Sequence, residues 1–269
     1  MGRKPIYTVD ENYFEKIDTN NKAYILGFIY ADGNIHKNVL TISLSYKDIE
    51  ILEFIKNELK YDGIIKHFFI KNREYVRLCI TSKKIINDLI NLGIIKNKTY
   101  LSKKLPNYGN HFNSFLLGFF DGDGSIYNNS YKNRSVEYGI TFSSNIDVLN
   151  EIKNILKINN ISSSKIRKRY NNDISCMLEI RGNINIEKIF NFLYSSSDFY
   201  LNRKYKIFEQ FNENLKYMKK RKLLPNTINI IKDMYLNGVK QFEISKSLKI
   251  PKSTTRCVIQ RLRKYKEII

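Results

Sequence analysis

The sequence predicts an α+β protein made of two pseudo-symmetric αββαββα halves, followed by a small all-α unit. Three observations support this fold class. A glycine-containing apolar segment occurs twice, strand-like segments follow each copy, and the C-terminal part has only helical periodicity. We expect the halves to cover residues 1–107 and 108–217, and the helical unit to cover residues 218–269.

The first observation is an internal repeat. Ile25–Ile35 reads ILGFIYADGNI and Leu116–Ile126 reads LLGFFDGDGSI. Later segments also correspond, in the same order: TISLS with GITFS, IEILEFIKNEL with IDVLNEIKNIL, INDLINL with IEKIFNF, and YLSKK with YLNRK. Because the order is kept throughout, both halves should have one fold.

Each half is expected to begin with a helix that follows polar capping residues and ends at a glycine, Gly33 or Gly124. The expected capping pairs are Asn20 with Asn21, and Asn113 with Ser114. Segments rich in Ile, Val, Ser and Thr then predict two strands, an amphipathic helix, two more strands and a last helix. The strands are expected at about Asn34–Ser45, Ile64–Ile70 and Glu74–Thr81, and at about Ser125–Ser143, Lys165–Tyr170 and Ser175–Arg181.

The charge of the chain indicates a polyanionic partner. Lys and Arg number 46 and Asp and Glu 26, which gives a net charge of +20. Nucleic acid fits better than a membrane, because no apolar run approaches the roughly 20 residues of a transmembrane helix. Cys79, Cys176 and Cys257 lie far apart without metal-site or disulfide spacing, and no histidine cluster or phosphate-binding glycine loop is present. We expect a cytoplasmic or organellar protein that is not secreted.

Small residues indicate how the first helices of the two halves meet. Gly27 and Ala31 are four positions apart, and so are Gly118 and Gly122. Small residues at this spacing lie on one helix face and allow another helix backbone to approach closely. The two helices are therefore predicted to cross at a pseudo-twofold axis.

This crossing would bring Asp32 and Asp123 together at two helix C-termini. A helix C-terminus disfavours an anion, and two neighbouring carboxylates repel each other, so a divalent cation is expected to compensate. Paired carboxylates that hold such an ion beside a phosphate backbone are suited to phosphodiester hydrolysis. The simpler alternative is that each Asp-Gly pair only ends a helix and starts a turn.

ILGFIYADG and LLGFFDGDG resemble two LAGLIDADG motifs, and the resemblance covers about residues 20–215. It implies a single-chain homing endonuclease of mobile genetic elements, with two four-stranded sheets that form a saddle over the DNA major groove. The motif-final acids, Asp32 and Asp123, would bind Mg²⁺ or Mn²⁺ and cut both strands, leaving short 3′ overhangs. Ala31 and Gly122, the residues before them, are included among the metal ligands.

The resemblance also implies differences between the two cleavage sites. The earlier acid of the motif is Asp121 in the second half but Tyr30 in the first, a position that does not bind metal in the family. A basic residue is expected near each scissile phosphate. Lys98 fits this place in the first half, although it could be an ordinary solvated lysine. Asp198 occupies the aligned position in the second half, so Arg203 or Lys204 would serve there, and we take Lys204 as the catalytic residue.

Outward strand residues are expected to contact base edges, with arginine favouring guanine and asparagine favouring adenine. Some of them would contact phosphate or water instead. The alternating inward residues should pack on the helices. The candidates for DNA contact are Asn34, His36, Ser43, Ser45, Arg73, Arg77, Ser125, Tyr127, Arg134, Thr141, Ser143, Arg167, Arg169 and Arg181.

A basic stretch, Lys219–Lys222, is expected to link the second half to a helix-turn-helix. Gln241–Leu248 would be its first helix, Lys249–Pro251 its turn and Lys252–Arg263 its recognition helix. Ile244 and Leu248 should pack on Val258 and Leu262. The alternative is a basic three-helix unit that binds protein. The residues expected to face DNA are Lys252, Ser253, Thr254, Arg256, Gln260 and Arg261.

The expected partner is double-stranded DNA with a long asymmetric target site, bound by a monomer. Two alternatives remain open. One is a transcription regulator that has a LAGLIDADG-like fold and no longer cuts, and the other is an intron maturase with an RNA partner. A regulator would be marked by loss of the acidic pair, and this sequence has both Asp32 and Asp123.

Overall fold

A computed structural model describes residues 7–95, 104–129, 136–168, 175–220 and 225–264. The chain divides into two compact units, Met1–Asn212 and Glu213–Ile269. In the described residues, the first unit contains both copies of the predicted αββαββα order, so the predicted fold class is confirmed. No helix of the described residues is long and apolar enough to cross a membrane.

Both copies have the same elements in the same order. In the first, the elements are α1 Asn20–Asp32, β1 Gly33–His36, β2 Val39–Ser45, α2 Ile49–Glu58, β3 Lys66–Ile70, β4 Arg73–Thr81 and α3 Lys83–Asn91, with a 3₁₀ turn at Tyr46–Asp48. In the second they are α4 Phe112–Asp123, β5 Gly124–Asn129, β6 Glu137–Ser144, α5 Ile146–Ile158, β7 Arg167–Lys168, β8 Cys176–Arg181 and α6 Asn183–Tyr194. Helix α7, Asn202–Lys220, follows the second copy.

The strands form two antiparallel four-stranded sheets among the described residues, in the orders β1-β2-β4-β3 and β5-β6-β8-β7. Their registers correspond, since Thr41 pairs with Cys79 in the first sheet and Thr141 pairs with Glu179 in the second. One face of each sheet is buried, through residues such as Leu40, Ile42, Ile140, Phe142, Leu78 and Ile180. The predicted division into inward and outward strand residues therefore holds.

Helices α1 and α4 lie at the centre of the first unit. Residues 23–30 of α1 and residues 114–121 of α4 are buried without interruption. A helix that is apolar on every side is one that is enclosed on every side, and here the two helices pack on each other and against the sheets. This position puts the C-terminal ends of both helices where the first strand of each sheet begins.

The predicted capping residues are wrong in both copies. The N-cap of α1 is Thr19, whose Oγ1 accepts a hydrogen bond from the Lys22 amide at 3.2 Å, and Asn20 is already helical. The extended backbone of Thr19 gives it the conformation that a capping residue needs. Helix α4 begins after His111 without a side-chain cap, and Ser114 is instead buried, accepting from the Ser197 hydroxyl at 2.9 Å.

The second unit contains α8 Pro225–Leu236, α9 Gln241–Ser247 and α10 Lys252–Lys264, which surround a core of Ile231, Ile244, Ile259 and Leu262. Leu248 and Val258 pack against this core, as predicted, but are only partly buried. The predicted linker is wrong at Lys219 and Lys220, because α7 continues through them, and residues 221–224 lie outside the described part of the chain.

Candidate functional site

Reciprocal glycine contacts join α1 and α4. A Cβ atom added to Gly27 would lie 2.0 Å from the carbonyl oxygen of Phe115, and one added to Gly118 would lie 1.9 Å from that of Tyr24. Backbone therefore touches backbone at both positions, with no space for a side chain. The predicted crossing of the two small-residue faces is confirmed.

The crossing brings Asp32 close to the end of α4. A Cβ atom added to Gly122 would lie 2.3 Å from the Ala31 Cβ and 3.4 Å from Oδ2 of Asp32. Gly122 directly precedes Asp123, and both aspartates are exposed as the last residues of their helices. Two carboxylates therefore meet solvent at adjoining helix C-termini, as predicted from the spacing.

This arrangement has the donor chemistry of a magnesium site shared with a substrate. The described residues contain no cluster of three or more His, Cys, Asp or Glu side chains that could enclose a metal ion. Mg²⁺ is commonly held by one or two carboxylates together with water and substrate phosphate oxygens, so Asp32 and Asp123 fit that ion. Ala31 and Gly122 directly precede the two aspartates, and their backbone carbonyl groups stay a prediction as further oxygen donors.

Lys204 lies beneath the end of α4. It is 3% exposed, and its Nζ donates hydrogen bonds to the carbonyl oxygens of Phe120, Asp121 and Gly124 at 2.5, 2.9 and 2.7 Å. An ammonium group has three donors, and these carbonyl groups use all of them. Burial lowers the pKa of Lys204 to about 8, against the opposing charge of Asp121. Lys204 thus fixes the backbone turn that carries Asp123.

Asp121 is a buried carboxyl group beside this lysine. Its Oδ2 accepts hydrogen bonds from the Tyr24 hydroxyl at 2.8 Å and the Leu201 amide at 2.9 Å, whereas Oδ1 is buried with no partner among the described residues. Burial raises the pKa of Asp121 to about 6, although Lys204 lowers it. In the first copy, Tyr30 takes this position and donates to the Lys104 carbonyl at 3.2 Å.

The second sheet forms a concave surface next to Asp123. Arg167 and Arg181 are exposed there, whereas Thr141 is 8% exposed. Eight predicted site residues come together on this surface. The prediction missed Gly124 and two further side chains, those of Met177 and Glu179. Their sequence signal is the two-residue alternation that puts them on the same strand face as Arg181. The lining comprises Gly122, Asp123, Gly124, Ser125, Tyr127, Thr141, Ser143, Arg167, Met177, Glu179 and Arg181.

The outward face of the first sheet carries a different set of side chains. The Arg77 guanidinium lies 4.6 Å from the Phe68 ring centroid, and its Nε donates to Oγ of Ser43 at 2.9 Å. Asn34, His36 and Arg73 are exposed, and Ser45 is half-buried. The remaining predicted residues Lys98, Arg134 and Arg169 lie outside the described part of the chain.

In the second unit, the predicted DNA-facing residues of α10 lie on its outer side. Lys252, Ser253, Arg256, Gln260 and Arg261 are exposed and Thr254 is half-buried. Lys252 also lies 5.3 Å from the Phe242 ring centroid. Thr255, which the sequence did not single out, is fully buried and faces the turn before the helix, with its hydroxyl 3.5 Å from the Pro251 carbonyl oxygen.

Residues 113–193 match the family described as LAGLIDADG-like domain. This stretch includes the second glycine–aspartate segment, the strands β5 to β8 and all but the last residue of α6. The matched residues are fewer than half of the chain and all lie in the second copy, whose strand order the first copy shares. No curated protein shows significant sequence similarity to the chain.

Solved structures share the fold of the chain. The I-LtrWI LAGLIDADG homing endonuclease bound to target DNA aligns with a TM-score of 0.55 and 18% identity, covering 76% of this chain and 92% of its own. I-GzeII in complex with its DNA target aligns with a TM-score of 0.53, 16% identity and coverages of 78% and 94%. The meganuclease I-SmaMI bound to uncleavable DNA aligns with a TM-score of 0.55 and 16% identity, covering 79% of this chain and 96% of its own. At these identities, the similarity establishes the fold.

Proposed function

We propose that this chain, which contains a LAGLIDADG-like domain and has the LAGLIDADG homing-endonuclease fold, is a site-specific endonuclease that cuts both strands of DNA. The observation that carries the proposal is the pair of exposed aspartates, Asp32 and Asp123, at the ends of the crossing helices. The net charge of +20 and the concave sheet surface beside Asp123 support a polyanionic substrate.

Hydrolysis would use the two helix ends together. Asp32 and Asp123, with the carbonyl groups of Ala31 and Gly122, would hold Mg²⁺ or Mn²⁺. When bound, such an ion polarises the phosphate, lowers the pKa of a water molecule and stabilises the leaving oxygen. The two carboxylates would hold the ion where it can act on a phosphate of either DNA strand. A pair of sites related by the pseudo-twofold axis would allow a monomer to cut both strands, and the proposed product has short 3′ overhangs.

Lys204 would act by positioning Asp123 rather than by touching the phosphate. Its three donors are taken by the carbonyl groups of Phe120, Asp121 and Gly124, which fix the turn at the end of α4. Lys98 remains our candidate for the basic residue near the first scissile phosphate. The unlike surroundings of the two aspartates support unequal cutting of the two strands.

The outward faces of both sheets would read the two halves of a long, asymmetric target. The different side chains at corresponding registers support this asymmetry, because they present different donors to the bases. The outer face of α10 would add a helix-turn-helix contact to the same DNA, through residues such as Arg256 and Arg261. The proposed location of the protein is the cytoplasm or an organelle, where such DNA is present.

The test measures cleavage of a DNA substrate in which the two sequences that flank the gene are joined, as they would be without the inserted gene. Wild-type protein is compared with Asp32→Asn and Asp123→Asn in Mg²⁺ and Mn²⁺, with chelator as the metal-free control. We expect double-strand breaks from wild type, and nicks or loss of cutting by at least about 100-fold in each variant. Plasmid substrates distinguish nicked from linear products.

Two other outcomes would reject the proposal. Tight, salt-sensitive binding of this DNA by all three proteins, with no cutting in either metal, would identify a regulator that binds DNA. Cutting by the Asp32→Asn, Asp123→Asn double variant at the wild-type rate would exclude the two carboxylates as the catalytic pair.

A further inference from the structure

Glu179 is an unusual residue for a surface that faces DNA. It lies on β8, opposite Thr141, is 4% exposed, and belongs to the concave surface that also contains Asp123. A carboxylate there repels phosphate, and its burial costs free energy unless partners compensate. Its presence on this face of a chain with a charge of +20 therefore needs a specific explanation.

Three donors compensate the buried carboxylate. Nη2 of Arg167 donates to Oε2 at 2.5 Å, Nε of Arg181 donates to Oε1 at 2.9 Å, and the Tyr127 hydroxyl also donates to Oε1. Burial raises the pKa of Glu179, but the hydrogen bonds from Tyr127 and Arg181 and the arginine charges outweigh it, so the pKa is lowered overall. The group keeps one net positive charge, because two guanidinium groups surround one carboxylate.

The contacts fix how the arginines are presented. Arg181 approaches Glu179 through its Nε, so this ion pair does not depend on the terminal Nη1 and Nη2 edge of the guanidinium. Both side chains remain about half exposed, at 54% for Arg181 and 56% for Arg167. Guanine accepts two N–H groups at O6 and N7 from such an edge. An arginine that is already held loses less conformational freedom on binding.

The first sheet lacks this arrangement. Cys79 takes the register position of Glu179, opposite Thr41. Of the two arginines on that sheet, Arg77 is supported by the neutral hydroxyl of Ser43 and the Phe68 ring. A charged support for arginine is thus a feature of the second sheet in the described residues, and Cys79 provides a matched control position.

We propose that Glu179 is a specificity-determining residue, which holds Arg167 and Arg181 as rigid readers of guanine in the half-site bound by the second sheet. This inference rests on the proposed DNA-binding function. Without Glu179, the arginines keep their charge but can turn toward phosphates. Binding should then become stronger on average and less selective.

The test is selection of bound sequences from a randomised double-stranded DNA library, with full-length protein in chelator to prevent cutting. Wild type is compared with Glu179→Gln, with Cys79→Ser at the matched position, and with Arg181→Lys, an exposed change that keeps charge but removes the forked donor. We expect wild type to prefer guanine at one or two positions of one half-site by about 10-fold or more.

In Glu179→Gln this guanine preference should fall below about 3-fold, while affinity for unrelated DNA stays the same or rises with a steeper salt dependence. A residue with only a structural role would weaken both kinds of binding. Arg181→Lys should lose guanine preference at one position, and Cys79→Ser should select the wild-type sequence. Thermal unfolding confirms that each variant is folded.

Unchanged guanine preference in Glu179→Gln, with normal DNA binding, would overturn this inference and leave the proposed function intact. If Glu179→Gln does not fold, the result for Arg181→Lys decides. A wild-type protein that binds no library DNA would instead overturn the proposed function and this inference with it.

Discussion

The two αββαββα copies meet through equivalent glycines but surround their terminal aspartates with different residues. Gly27 and Gly118 make the same close backbone contact, 2.0 and 1.9 Å from a carbonyl oxygen to an added Cβ. In the surroundings of the aspartates, by contrast, Tyr30 corresponds to Asp121 and Cys79 to Glu179. Packing leaves the central contact no freedom to vary, whereas the positions around the aspartates can diverge without unfolding the protein.

The largest expected effect comes from breaking the central contact. Gly27→Val and Gly118→Val should each destabilise the protein by about 4 kcal/mol or more, above the usual range for overpacking, because the obstacle is a backbone carbonyl that cannot rotate away. The two losses should be similar, since the two contacts are equivalent. Urea unfolding measures both losses, from the shift of the denaturation midpoint at an unchanged m-value.

The control for these variants is Glu53→Ala, an exposed change on α2 that should stay within about 0.5 kcal/mol of wild type. If one glycine accepts valine at little cost and the other does not, the two copies are not equivalent at their centre. The comparison between a symmetric centre and asymmetric flanks would then fail.

A smaller effect is expected where the copies differ. Lys204→Met would leave three carbonyl groups and the charge of Asp121 uncompensated, and should cost about 3 kcal/mol. The repeat pairs Lys204 with Lys104, which is exposed, so Lys104→Met should cost less than about 0.5 kcal/mol. Equal costs for the two variants would show that the lysines play equal structural parts.

The stability difference between wild type and Lys204→Met should change with pH in a defined direction. The pKa of Lys204 is about 8 in the folded chain and 10.5 without the protein environment, so the unfolded state binds more protons between these values. The contribution of Lys204 to stability therefore rises with pH above about 8. The stability difference between wild type and Lys204→Met should widen from pH 7 to pH 9.5, and a difference that narrows would contradict the lowered pKa of Lys204.

The sequence predicted the repeated fold and the aspartate pair because both depend on local patterns: glycine spacing on a helix and alternation along strands. It failed where neighbouring residues compete or distant residues meet. Thr19, Asn20 and Asn21 are all polar, and only the extended backbone of Thr19 decides which one caps α1. The support of Arg167 and Arg181 by Glu179 depends on strand register, which the sequence of β8 alone does not specify.

The smallest expected effect concerns the second unit, which follows only the second copy and so adds to the asymmetry. Arg261→Ala should weaken DNA binding about 3-fold for all sequences and reduce the salt slope by about one, without changing the cleavage rate of bound DNA. The matched control is Arg263→Ala on the same helix, because Arg263 donates to the Tyr235 hydroxyl and stacks on its ring. Binding titrations at several salt concentrations measure both variants. Equal losses would reject the outer face of α10 as the contact, whereas no loss in either would favour a unit that binds protein rather than DNA.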